Sequence, residues 1–214
     1  MSTADQLTTT PTIDRDRPIL QVIVASTRPG RIGRAFGDWI IREAEAQGGF
    51  TVELVDLADV GLPFLDEPNH PRLGQYLHQH TKDWSASVSR ADAFVLVTPE
   101  YNHSFNAVLK NALDFLHDEW AHKPVAFVSY GGVAAGTRAV QALKPVLTGL
   151  RMVPIVDAVT IPFAAQFLDD DGVVQPSDLL TGSTKVMLDE LAAQTAALEP
   201  RRTELRHHQE PSGR

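Results

Sequence analysis

Residues 93–116, AFVLVTPEYNHSFNAVLKNALDFL, constrain the fold more than any other part of the chain. Ala93, Phe94, Val95, Leu96 and Val97 are apolar without alternation, the pattern of a strand buried on both faces of a parallel sheet. Apolar residues then recur at 105, 108, 109, 112, 113 and 116, offsets that lay one continuous stripe along a helix. Between them stands a polar, turn-forming loop, Pro99-Glu100-Tyr101-Asn102-His103-Ser104. In open α/β sheets ligands bind beyond the carboxyl ends of the strands, which is where such a loop lies.

The same alternation runs through the chain. Ile19 to Ala25 reads as a first strand, apolar except for Gln21, and Phe36, Trp39, Ile40 and Ala44 mark a helical face behind it. Thr51 to Leu57 reads as a second strand, followed by a weaker helical pattern over 74–88. Val125 to Val128 is a fourth strand, with Val140, Leu143, Val146 and Leu147 on the helix after it. A fifth strand begins at Met152 and can extend to Ile161, and a last helix is expected over 176–198. Five β-α units with short links imply a parallel sheet covered on both faces. Right-handed crossovers reduce the choices to few, and a flavodoxin-like three-layer α/β sandwich with strand order 2-1-3-4-5 is the expected fold. One domain over 18–199 is expected, between a disordered extension over 1–17 and a polar tail over 200–214.

Composition narrows the function classes. A formal net charge of −8 disfavours nucleic acid and anionic membranes as partners. The absence of cysteine excludes disulfides and thiolate chemistry, and fits a cytoplasmic protein. No apolar run approaches the roughly 20 residues that span a bilayer. Adjacent His207 and His208 have no fixed scaffold in a solvated tail, so no metal site is expected. Asp169-Asp170-Asp171-Gly172 reads as a turn, without the alternating carboxylates and closing Glu of a calcium loop.

The expected strand order brings three loops to one edge. The first, Ala25 to Gly33, combines the hydroxyls of Ser26 and Thr27, the guanidinium groups of Arg28 and Arg31, Gly30, Ile32, Gly33 and a helix start. Helix N-termini present free amides to anions, and hydroxyls and Arg forks match phosphate oxygens. It is neither a P-loop nor a GxGxxG fingerprint. An ordinary capped turn with solvated arginines is the alternative. The second loop contributes Tyr101, able to stack on a flat ring or simply to pack on the next helix. The third, Ser129 to Gly136, has glycines that allow close backbone approach or merely a turn. Together they favour a phosphorylated, planar, partly polar ligand, a description that flavin mononucleotide fits.

With STRPGRIG after the first strand, PEYN and LKNALD after the third, and SYGG with Gly136 and Arg138 after the fourth, the chain resembles the NADPH-dependent FMN reductase family of the flavodoxin-like superfamily. That family includes azoreductases, quinone reductases and chromate reductases. The resemblance spans roughly residues 19–198. It implies that Ser26, Thr27, Arg28, Arg31, Ile32 and Gly33 hold the FMN phosphate. Pro99, Glu100, Tyr101 and Asn102 would line the isoalloxazine and ribityl chain, with Ser129, Gly131 and Gly132 on the other side. It further implies NADPH or NADH as co-substrate, no side-chain nucleophile or general acid, and a homodimer or homotetramer. The acceptor would be a quinone, azo or nitro compound, metal oxyanion or free flavin. Arg31 and Gly33 depart from the second Ser and the Asn of many members, and Phe105 stands where smaller residues are common, so it could cover the flavin face or pack at the helix start. Two further readings stay open: a flavodoxin-like electron-transfer protein that does not oxidise nicotinamides, and a specialised biosynthetic flavoenzyme on the same scaffold.

Overall fold

A computed structural model describes residues 17–209, with side chains to 205. The expected extension over 1–17 lies almost wholly outside the described residues, as do the side chains of His207 and His208. Five parallel strands, β1 (Ile19–Val24), β2 (Thr51–Asp56), β3 (Ala93–Pro99), β4 (Pro124–Tyr130) and β5 (Val153–Ile161), form one sheet of order β2-β1-β3-β4-β5. Leu20 pairs with both Val52 and Ala93, and Phe94 pairs with Val125, so every strand starts at the same edge. Six helices follow: α1 (Gly33–Gln47), α2 (Leu57–Val60), α3 (Gln79–Arg90), α4 (Ala107–Asp114), α5 (Thr137–Gly149) and α6 (Asp178–Gln209).

Strand alternation sorts the core into two layers. Leu20, Val22, Val95, Val97, Ala126 and Val128 face α1 and α6, meeting Phe36, Trp39, Ile40, Met187 and Leu191. Ile23, Phe94, Leu96, Val125 and Phe127 face α3, α4 and α5, meeting Trp84, Leu109, Leu113, Trp120, Leu143 and Leu147. The central strands β1, β3 and β4 are buried along their length, which is why they read as unbroken apolar runs. Each buried Val, Leu or Ile contributes about 1.5–3 kcal/mol relative to an exposed one. Gln21, the polar exception, is also fully buried, and its amide donates to Glu53 Oε2 at 3.0 Å and Ser87 O at 2.9 Å. Phe115, Leu116 and Trp120 are likewise core residues, so they do not form an exposed surface.

Two helix boundaries differ from those expected, and one short helix was not expected. Helix α3 begins at Gln79 rather than near 74, because the Glu67 carboxylate accepts from the Leu77 and His78 amides and holds 74–78 outside the helix. The short α2 lacks the length to show a period and is capped by Asp56 through the Ala58 amide. Helix α6 passes Pro200 and ends at Gln209 rather than near 198. Arg202, 5% exposed, donates to Thr195 O at 2.8 Å, so residues just past 200 are built into the domain.

Candidate active site

The loops after β1, β3, β4 and β5 meet at the carboxyl edge of the sheet and are tied to one another in sequence across it. Ser26 Oγ shares a 2.8 Å hydrogen bond with the Tyr101 hydroxyl, joining the first loop to the second. The Glu100 amide donates to Tyr130 O at 3.2 Å, joining the second to the third. The Gly131 amide donates to Ile161 O, and the Phe163 and Ala164 amides donate back to Gly132 and Gly131. The ligand-facing edge is therefore a connected frame rather than four independent loops.

Helix α1 begins at Gly33 with no side-chain cap and no acidic residue in its first turn. Its first amides are thus left for an anion, and the dipole favours one. Behind them Arg31 grips Asp56 in a two-pronged pair at 2.5 and 2.7 Å, and its Nη1 also donates to Ser26 O at 2.7 Å. Arg34 approaches the same carboxylate at 3.6 Å and pairs with Asp38 at 2.9 Å. Arg28 lies exposed on the cavity wall and takes part in no ion pair among the described residues. Arg31 and Arg34 are thus engaged by nearby carboxylates, while Arg28 stands beside the open helix start. Of these three arginines, Arg28 makes no ion pair among the described residues, while Arg31 braces the loop.

The second loop is a tight turn. Tyr101 and Ser104 exchange amide–carbonyl hydrogen bonds at 2.8 and 3.0 Å, with Asn102 and His103 both left-handed at φ 49° and 68°. Those are type I′ dihedrals, which Asn and His tolerate better than most residues. The turn leaves Tyr101 37% exposed over the cavity. The Glu100 carboxylate pairs with Arg138 at 2.5 Å and accepts from the Arg138 amide at 3.2 Å. It thereby caps α5 from a neighbouring loop. Arg138 also bonds His103 Nε2 at 2.9 Å. Lys110 and Asp114 pair separately at 2.6 Å on the surface of α4.

Both buttressing carboxylates titrate low. Burial alone would raise Asp56, but the Arg31 hydrogen bonds, the Ala58 amide and two guanidinium charges outweigh it and hold it below its ordinary 3.8. Burial would also raise Glu100, and Arg138 outweighs it, keeping the group below its ordinary 4.5. A carboxylate depressed by folding contributes stability that is present above its unfolded pKa and lost as pH falls toward the folded one. Urea unfolding free energies taken from about pH 6 down to about pH 3 should therefore fall, and fall less for Asp56→Asn. Equal slopes for the two proteins would remove the Asp56 pair from the acid response.

These loops enclose a cavity of about 570 Å³, lined by Ser26, Arg28, Arg31, Ile32, Pro99, Glu100, Tyr101, Tyr130 and Gly131. Phe163, Ala164, Ala165 and Gln166 complete the lining. Its size falls within the roughly 300–1,000 Å³ of small-molecule sites. Of the sequence-predicted residues, Thr27, Gly33, Asn102, Ser129 and Gly132 stand beside the lining rather than in it. Ser129 is fully buried and spends its hydroxyl on Ala135 O at 2.8 Å. Phe105 packs at the start of α4 on the second core layer, away from the cavity. Sequence reasoning missed Tyr130 and residues 163–166 as lining. Strand order 2-1-3-4-5 was the available signal, since it obliges the loop after β5 to reach the same edge. Tyr130 is 6% exposed; burial and the neighbouring Tyr101 push its phenol up, so it stays protonated.

A parallel sheet of this order, with an anion-accepting loop and a planar-walled cavity at its carboxyl edge, defines a flavodoxin-like protein. The family model for NADPH-dependent FMN reductase matches residues 19–166. The NAD(P)H-dependent FMN reductase of Schizosaccharomyces pombe is 42% identical over 149 residues, covering 68% of this chain and 74% of that protein. The enzyme of the same description from Saccharomyces cerevisiae is 33% identical over 168 residues, covering 73% and 87%. Among solved structures, the flavoenzyme NAD(P)H:(acceptor) oxidoreductase of Paracoccus denitrificans superimposes with a TM-score of 0.68 at 22% identity, covering 84% of this chain and 98% of that one, a likeness of fold. The chain belongs to the NADPH-dependent FMN reductase family.

Proposed function

We propose that the protein is an FMN-dependent NAD(P)H oxidoreductase that passes reducing equivalents to a small acceptor such as a quinone, azo or nitro compound, metal oxyanion or free flavin. The observation that carries this reading is the uncapped start of α1 beside Arg28, which makes no ion pair among the described residues, opening into a cavity walled by Tyr101. That donor set fits the FMN phosphate, and the cavity beyond it fits a planar ring. Bound FMN would supply the two-electron relay between NAD(P)H and the acceptor. The α1 amides and Arg28 bind the phosphate, and Ser26 fixes the Tyr101 ring through their shared hydrogen bond. The backbone of Pro99–Tyr101 and of Gly131 orients the ring edge. Arg31 acts from behind, by holding Ser26 O.

Mixing FMN-loaded protein with NADPH or NADH under anaerobic conditions should bleach the flavin absorbance. Bleaching that needs a separate reductase would instead identify an electron-transfer protein, and none at all would overturn the proposal. Arg28→Ala should weaken FMN binding by about 10- to 150-fold, the equivalent of the roughly 1.5–3 kcal/mol of a charge-assisted contact, and leave riboflavin affinity unchanged. Loss of both affinities alike would remove Arg28 from the phosphate site.

The reading extends to a homo-oligomer in the cytoplasm. Phe64, Leu65, Leu73 and Leu77 expose apolar surface on the segment between α2 and α3, which docks on α4 through the Asn111 side chain. Such a patch suits self-association. No helix among the described residues is long and apolar enough to cross a membrane. Light scattering at micromolar concentration tests the assembly, and a monomer mass would exclude it.

A further inference from the structure

After β5 the chain turns at Pro162 and Phe163, and Phe163 is left-handed at φ 47°, ψ 48°. That region suits glycine and is a genuine outlier for a bulky residue. Its backbone is fixed there, with the amide donating to Gly132 O at 3.3 Å and the carbonyl accepting from the Gln166 amide at 2.9 Å. Yet the ring is not a core side chain. It is 52% exposed and belongs to neither core layer, although it lines the cavity together with Tyr101 and Gly131. A strained backbone that holds an apolar ring over a cavity, where folding would be served as well by glycine, points to use of the ring by a ligand.

We propose that Phe163 is a specificity-determining residue, the platform on which planar, conjugated-ring acceptors stack at the open side of the cofactor cavity. Tyr101 and Phe163 come from different loops and present the two exposed aromatic side chains of the lining. Tyr101 is anchored through Ser26 at the phosphate end, whereas Phe163 has no side-chain tether. The ring is thus placed to meet whatever enters after the cofactor is seated. A flat acceptor gains face contact with it, and an acceptor without a ring gains none.

The inference rests on the reductase reading, and two acceptors separate the two claims. FMN-loaded protein is assayed with NADPH and either benzoquinone, which is planar, or ferricyanide, which has no ring to stack. Phe163→Gly suits the left-handed backbone, so its thermal midpoint should match or exceed that of the parent. Its KM for benzoquinone should rise by about three- to tenfold, by more than its KM for ferricyanide and by more than any loss of FMN affinity, and Phe163→Tyr should stay within about twofold of the parent. An unchanged benzoquinone KM, an equal change for ferricyanide, or a parallel loss of FMN affinity would each overturn the assignment. A parent protein that passes no electrons from NADPH to ferricyanide would overturn the reductase reading itself, and this inference with it.

Discussion

Gly136→Ala is expected to lower the thermal midpoint by roughly 4–20 °C, taking about 2–4 °C per kcal/mol for a chain of this length. Gly136 sits at φ 79°, and a Cβ there would lie 2.8 Å from both Ser129 Cβ and Tyr130 N and 3.0 Å from Tyr130 O. Two costs add. The left-handed backbone costs a side chain about 1–2 kcal/mol. The clash is with the end of a central strand, which cannot swing aside, and overpacking costs about 1–3 kcal/mol. Gly30 provides the control. It is also left-handed, at φ 72°, but nothing lies within 4 Å of its would-be Cβ. Gly30→Ala should carry the backbone cost alone and shift the midpoint by about 2–8 °C. Equal shifts for the two variants, followed by circular dichroism, would show that the contact of Gly136 with β4 is not the cause.

Asp56→Leu should destabilise the protein by about 2–4 kcal/mol and loosen FMN at the same time. The Asp56 side chain is 1% exposed and Arg31's is 20% exposed, so the variant strands a half-buried guanidinium that cannot shed its charge. It also removes the cap on α2. Because Arg31 Nη1 holds Ser26 O, the loop that frames the cofactor phosphate loses its brace. Adding Arg31→Met should restore part of the stability, since removing both partners of a buried pair costs less than removing one. Urea unfolding of the two single variants and the double variant measures the coupling. A double variant as unstable as the sum of the singles would show that the pair does not act as a unit.

The same arginine marks a limit of sequence reading. STRPGRIG offers two guanidinium groups in one loop, and the residue types assign both equally to a phosphate. Asp56 stands 25 positions further along, at the end of β2, and nothing local to either residue announces the pair. Glu100 is a similar case. Within PEYN its residue type suggests a cofactor contact; it lines the cavity, and its carboxylate caps α5 through Arg138. Ser129 sits in a ligand-type loop yet turns its hydroxyl inward to Ala135. In each case the residue lay in the expected loop; for Arg31 and Glu100 a partner distant in sequence decided what the side chain does, and for Ser129 the fold of its own loop did.

The sequence by itself determined the layers and the edge. Buried parallel strands must be apolar on both faces and their helices on one, so the two periods expose the order of elements, and handedness leaves few ways to connect them. Ser26, Arg28, Pro99, Tyr101 and Gly131 could therefore be placed together before any coordinates. Only the tertiary structure decided which arginine grips Asp56, which glycine cannot accept a Cβ, and that Phe163 completes the cavity from the loop after β5. Hydrophobic patterning is a local property of the chain. Charge pairing, steric exclusion and backbone strain depend on residues that folding brings together from distant positions.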